Sequence, residues 1–96
     1  MKLCAKYNLH LISDEIYALS IFNVPGKEQP PPFTSLLSID PTELISTNYI
    51  HVLYGISKDF GAAGLRLGCL ITQNAELTKA ARVVGYVTPS DQAKSC

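Results

Sequence analysis

Three short clusters bring together residue types able to do chemistry in this 96-residue chain. They are Ser13-Asp14-Glu15-Ile16-Tyr17, Ser57-Lys58-Asp59-Phe60-Gly61 and Gly64-Leu65-Arg66-Leu67-Gly68. A lysine amine, once neutral, can attack a carbonyl or act as a base. An arginine can make two charge-assisted bonds to a single anion. Taken singly, these residues have plainer readings. Lys58 is a solvated surface lysine, Arg66 an ion-pair partner, and Asp14 and Tyr17 close a strand-to-loop turn, with Ser57 as a turn hydroxyl. Glu15 and Asp59 flank the key positions and read as local caps or ion-pair partners. His10 and His51 lie in or beside apolar runs without partner spacing and read as structural.

The elements that must position these clusters follow from apolar patterning. Residues 9–12, 50–53 and 67–71 are short, nearly continuous apolar runs rich in Ile, Leu and Val. Such runs suit strands buried on both faces, as in a parallel or mixed sheet covered by helices. Residues 1–7 read as the last turns of a helix ended by Asn8, followed by a strand at 9–13. Residues 23–32, with four prolines and Gly26, form an irregular loop stiffened by Pro30-Pro31-Pro32. Asp40-Pro41 followed by Glu43 predicts a short helix to about Ser46. Strands follow at Ile50–Gly55 and at 67–72. Asn74 caps a helix over Ala75–Gly85 with Leu77, Ala80, Ala81 and Val84 on one face, and Thr88-Pro89-Ser90 breaks it. The order β–loop–α–β–β–α, cut at both ends, suggests an interior slice of an α/β domain. In open α/β sheets ligands gather outside the carboxyl ends of the parallel strands, where the first two clusters fall. A turn of Gly61, Ala62, Ala63 and Gly64 brings the third beside them, its small residues allowing close packing.

Bulk properties narrow the function classes. Eight Lys and Arg balance eight Asp and Glu, and the isoelectric point is near 6.7. A neutral chain without a basic stripe gives no electrostatic reason to expect nucleic acid or an anionic membrane. No apolar run is long enough to span a bilayer, and the broken apolar start MKLCAKYNLH makes a poor signal peptide. Cys4, Cys69 and Cys96 are scattered and lack metal-ligand spacing, which suits a reducing cytoplasmic setting.

Together the motifs are specific. SDEIY followed by YGISKDFGAAGLRLG, with an arginine eight residues after the lysine, resembles the fold-type I pyridoxal 5'-phosphate enzymes of the class I/II aminotransferase family. The likeness is strongest to the branch that includes 1-aminocyclopropane-1-carboxylate synthases and their aminotransferase-like relatives. It implies part of the large, cofactor-binding domain, a mostly parallel sheet with flanking helices. On that footing residues 1–96 are an interior segment of that domain, truncated at both ends. The resemblance also implies a homodimer for a full-length member.

The resemblance implies a role for each residue. Lys58 matches the lysine that holds the cofactor as a Schiff base. A free lysine, with a pKa of about 10.4, is almost fully protonated at neutral pH, so neighbouring positive charge and desolvation are needed to favour the neutral amine. Asp14 matches the carboxylate beside the pyridine nitrogen, Tyr17 the phenol at the ring oxygen, and Arg66 the phosphate clamp, with Ser57 adding a hydroxyl. Where many relatives have a phosphate-binding serine three residues before the lysine, this chain has Gly55. The implied activity is amino-group transfer between α-amino acids and keto acids. The alternatives are a 1-aminocyclopropane-1-carboxylate synthase-type lyase, a cofactor-free lysine aldolase disfavoured by the Asp14, Tyr17 and Arg66 set, and a truncated product without catalysis. A glycine-containing helix start for the phosphate, a ring stacked on the cofactor, an asparagine near its ring oxygen and an arginine for the substrate carboxylate have no counterpart in the chain.

Overall fold

The computed structural model describes residues 1–85. The first helix, α1 (Lys2–Lys6), stops where the sequence predicts. Asn8 adopts a left-handed φ of 52°, and the N–H groups of Asn8 and Leu9 return to the carbonyls of Ala5 and Cys4. Asparagine tolerates that conformation better than most residues, so the orphan carbonyls of the last turn are satisfied. This cap takes up Leu9, and the first strand, β1 (Leu11–Asp14), starts two residues later than expected.

Three strands form one sheet in the order β1, β2 (Ile50–Gly55), β3 (Gly68–Thr72). β1 and β2 are parallel, with Leu11 opposite Ile50 and Asp14 opposite Leu53. β2 and β3 are antiparallel, with His51 opposite Thr72 and Gly55 opposite Gly68. The described sheet is therefore mixed, an α/β arrangement with one pairing of each kind.

Only the central strand is buried on both faces. His51 and Val52, adjacent and pointing to opposite faces, are each 1% exposed. Ile45 and Ile50 complete the apolar core with Val52. On the flanking strands Ile12 remains 58% exposed and Ile71 39%, so the expectation of burial on both faces fails there. Ile71 instead lines a cavity with Leu36, Leu37 and Ile39. The helix α3 (Ala75–Gly85) begins as expected: Asn74 Oδ1 accepts from the N–H of Leu77 at 2.9 Å, and Asn74 Nδ2 donates to the carbonyl of Asn48. Of its expected apolar face only Leu77 is half-buried, and Val84 is exposed. The expected break at Thr88-Pro89-Ser90, like Cys96, lies outside the described residues.

The helix expected from Asp40 does not form. Asp40 does cap a turn, accepting from the N–H and hydroxyl of Thr42, and Leu44 and Ile45 donate to the carbonyl of Pro41. The turn closes there because Ile45 inserts into the core. Ser46 then caps a single 3₁₀ turn, Thr47–Tyr49, that leads directly into β2.

Burying His51 is tolerable because both ring nitrogens are partnered. Nε2 lies 2.7 Å from His10 Nδ1, and Nδ1 lies 2.8 Å from Thr72 Oγ1. His10 also packs against Tyr49. Burial, and then the neighbouring His10, hold the His51 pKa below the ordinary histidine range. With both imidazoles charged, two N–H groups would face each other across the 2.7 Å gap. Because the folded pKa lies below the unfolded one, the unfolded chain takes up more protons as pH falls through about 6.5. Stability is then complete above that pH and declines below it. The urea midpoint is expected to fall between pH 7.5 and 5.5, a window above the carboxylate titrations. In His51→Gln that dependence should flatten; an unchanged slope would contradict the assignment.

Candidate active site

Chain direction brings the three clusters to one edge of the sheet. β1 and β2, being parallel, both end there, and β3, running the other way, begins there. Asp14 is the last residue of β1, Lys58 sits three residues past the end of β2, and Arg66 lies two residues before β3. The short helix α2 (Ile56–Asp59) carries Ser57 and Lys58 and follows β2 without a break.

Two of the candidate residues face each other directly. Lys58 Nζ stands over the Tyr17 ring, 5.8 Å from its centroid, a distance at which an ammonium is attracted to the ring face. Both side chains are exposed. Asp14 closes the strand-to-loop turn, its Oδ1 accepting from the N–H of Ile16 at 3.3 Å. The N–H of Glu15 extends the parallel ladder to the carbonyl of Leu53 at 2.9 Å, which fixes where the turn departs. Arg66 is held in a left-handed conformation, φ 54° and ψ 39°, at the end of the 3₁₀ turn Ala63–Leu65. Its Nη1 donates to the carbonyl of Ala63 at 3.2 Å, so its guanidinium is braced on its own turn. Ser57 is half-buried.

Of the turn glycines, Gly61 is required by its φ of +61°, but a Cβ at Gly61 or Gly64 would meet nothing within 4 Å. Close approach occurs instead where β2 meets β3. A Cβ on buried Gly55 would come within 3.1 Å of both the Leu67 carbonyl and Ile16 Cδ1, and one on Gly68 within 3.3 Å of the Tyr54 carbonyl. Glycine at position 55 lets the strand end and the segment carrying Arg66 lie against each other.

Two carboxylates expected to act locally reach much further. Glu15, buried beside Asp14, accepts from Ser13 Oγ at 3.1 Å, Ser35 Oγ at 2.7 Å and the N–H of Leu36 at 2.8 Å. Burial pushes its pKa up, but the Leu36 N–H and the two serine hydroxyls outweigh it, so the carboxyl sits below the ordinary glutamate range. It thereby anchors the segment that follows the proline-rich loop to the turn after β1. Asp59 joins Leu19, Ser20 and Tyr54. The signal for both was an acid beside each chemically able residue, in SDE and SKD, though their partners are set by the fold. The two histidines meet because parallel pairing puts His51 opposite Ile12, two residues on from His10. Among the described residues no group of three or more His, Cys, Asp or Glu could hold a metal, and no helix is long and apolar enough to cross a membrane.

Residues 1–92 match the family model for aminotransferase class I and II. The chain belongs to that family. It is 47% identical over 70 residues to the probable aminotransferase sirI of Leptosphaeria maculans, covering 73% of the chain and 17% of that protein. It is 41% identical over 87 residues to the human probable inactive 1-aminocyclopropane-1-carboxylate synthase-like protein 2, covering 91% of the chain and 14% of the relative. Against the 1-aminocyclopropane-1-carboxylate synthase of Nicotiana tabacum it is 35% identical over 79 residues, with 80% of the chain and 15% of that enzyme covered. The chain thus spans less than a fifth of the length of each of these three relatives.

In this aminotransferase family segment, the departure at Gly55 has a steric reason. Gly55→Ser is expected to lower stability by about 1 kcal/mol, since backbone as well as Ile16 must shift to admit a Cβ. Chemical denaturation of the variant measures this. A serine tolerated at full stability would remove the packing explanation.

Proposed function

We propose that this edge binds pyridoxal 5'-phosphate and serves amino-group transfer from α-amino acids to keto acids. The observation that carries the proposal is the Lys58 amine facing the Tyr17 ring at 5.8 Å, on the sheet edge where Asp14 ends β1, inside a class I and II aminotransferase segment. The donor set suits the cofactor. It offers an accessible amine for covalent attachment, a carboxylate for a protonated ring nitrogen, a phenol for the ring oxygen, and a guanidinium and hydroxyl for the phosphate. When bound, the cofactor supplies an electron-accepting ring that stabilises negative charge at the substrate Cα. The chain's own residues do the rest. Lys58 carries the cofactor and moves the proton at the substrate Cα; Asp14 keeps the ring nitrogen protonated; Tyr17 donates to the ring oxygen. Arg66 and Ser57 hold the phosphate.

A lyase reading, supported by the identity to the tobacco synthase, begins with the same proton removal and uses the same residues. Both readings treat residues 1–96 as an interior segment of the large domain of a homodimeric enzyme. The exposed Ile12, Leu53 and Ile71 favour that view, since a complete domain would cover them.

Borohydride reduction of the 96-residue chain with pyridoxal 5'-phosphate, followed by peptide mapping, is expected to place the pyridoxyl label on Lys58, without keto-acid formation from a panel of amino acids. A label confined to Lys79, or steady turnover lost in Lys58→Ala, would overturn the proposal in its site or its segment part respectively. In a complete enzyme carrying these residues, Asp14→Asn should reduce turnover more than cofactor retention, because an amide cannot keep the ring nitrogen protonated. Arg66→Ala should chiefly weaken cofactor binding. Cofactor titration alongside steady-state kinetics separates the two, and equal effects on both quantities would count against this division of roles.

A further inference from the structure

The turn after β1 and the helix α2 come from distant parts of the chain, and one carboxylate joins them. Asp59 Oδ2 accepts from the N–H of Leu19 at 2.9 Å and from the hydroxyl of Tyr54 at 3.1 Å. Asp59 Oδ1 accepts from Ser20 Oγ at 2.6 Å. The sequence separations to Leu19 and Ser20 are 40 and 39 residues, so this is no local cap. Each end of the link adjoins a site residue. Asp59 follows Lys58 directly, while Leu19 and Ser20 close the turn on Tyr17, the N–H of Ser20 donating to the Tyr17 carbonyl at 3.0 Å.

We propose that Asp59 is a positioning residue: its carboxylate fixes the Tyr17 turn against α2 and so sets the separation of the Tyr17 ring and the Lys58 amine. It touches neither group itself. Tyr54 Oη, reaching across from the end of β2, holds the carboxylate at its third point, so the link is referred to the sheet as well as to the turn. The Ser20 hydroxyl first, opposed by partial burial and reinforced by the Leu19 N–H and Tyr54, keeps the Asp59 carboxyl below its ordinary range. The acceptor is thus fully ionised at neutral pH, and charge-assisted bonds are the stronger kind. The consequence for the cofactor rests on the function proposed above; the linkage itself does not.

Conservative chemistry separates a linking role from a charge effect. In Asp59→Asn the amide oxygen can still accept from Leu19 and Tyr54, and the amide nitrogen can donate to Ser20 Oγ, which also accepts. Asp59→Ala removes all three bonds. In the 96-residue chain, NMR would follow the Leu19 amide and the ring-current shift that Tyr17 imposes on the Lys58 methylenes, assigned through Tyr17→Leu. Pyridoxyl trapping would follow the rate of labelling at Lys58, with Lys79 as internal reference. Asp59→Ala is expected to lose the ring-current shift and the Leu19 protection, and to slow Lys58 labelling roughly tenfold. Asp59→Asn should retain both signals and label within about twofold of the parent, its link being kept.

Asp59→Ala behaving like the parent would overturn the proposal, as would Asp59→Asn failing as badly as Asp59→Ala. If Asp59→Ala loses protection of the Val52 amide and hence the sheet, Ser20→Ala and Tyr54→Phe remove one arm each. Both should then weaken the ring-current shift in part, and no change in either would equally refute the link. Should the parent show the link while Lys58 takes no label, the function reading fails and the positioning role stands.

Discussion

The arrangement depends on the parallel pairing of β1 with β2. Parallel strands end at the same edge, so whatever follows each must emerge there, and in this chain those segments are SDEIY and SKDFG. A hairpin between the two would have sent the clusters to opposite ends of the sheet. Parallel pairing requires a long connection, which the 35 residues between Asp14 and Ile50 supply as loop, turns and single 3₁₀ turns rather than as a long helix. The antiparallel return of β3 then starts at that edge, which brings Arg66 near without any contact of its own to Lys58. Gly55 and Gly68, opposite each other, allow the return to be this tight.

Polar cross-links hold the sheet at both ends, Glu15 at the site edge and His51 near the start of β2. Two polar side chains are buried among the described residues, Glu15 and His51, and both are fully engaged. A buried acid or imidazole without partners would cost several kcal/mol. With partners, each becomes a register device: a shift of one residue between β1 and β2 would separate His10 from His51 and leave the buried Nε2 unpaired. Glu15 similarly fails if the loop end carrying Ser35 and Leu36 moves. The core formed by Ile45, Ile50 and Val52 brings the segments together without selecting among close alternatives, and the hydrogen bonds make that selection.

What could be read from the chain itself was local. Asn8 as a helix stop, Asn74 as a helix cap and Ile50–Gly55 as a strand each rest on one residue's conformational preference or on a contiguous apolar run, and the fold has them. The signal at Asp40-Pro41 was also genuine, since Asp40 does cap a turn. Burial of Ile45 ends it after a single turn, a tertiary effect that propensity does not contain. The candidate site residues were legible because their motifs stand next to strand ends. Glu15 and Asp59 were visible as acids but not as anchors, because a hydrogen bond to a partner twenty or forty residues away leaves no periodic trace in sequence.

The two kinds of interaction differ in how far they are completed within these residues. Apolar contacts are unfinished: Ile12, Leu53 and Ile71 on the sheet and Val83 and Val84 on α3 remain open to solvent. The polar contacts are closed among the described residues themselves, Asp59 and Glu15 at the site edge and His51 near the opposite end of the sheet. Hydrophobic cover is non-directional and scales with area, so further protein over the sheet would add stability without needing to rearrange the edge. In the positioning role proposed for Asp59, directional bonds set the relative positions of Lys58 and Tyr17 without such cover. Geometry at the edge is therefore specified locally, whereas the stability that maintains it depends on how much of those open faces is eventually buried.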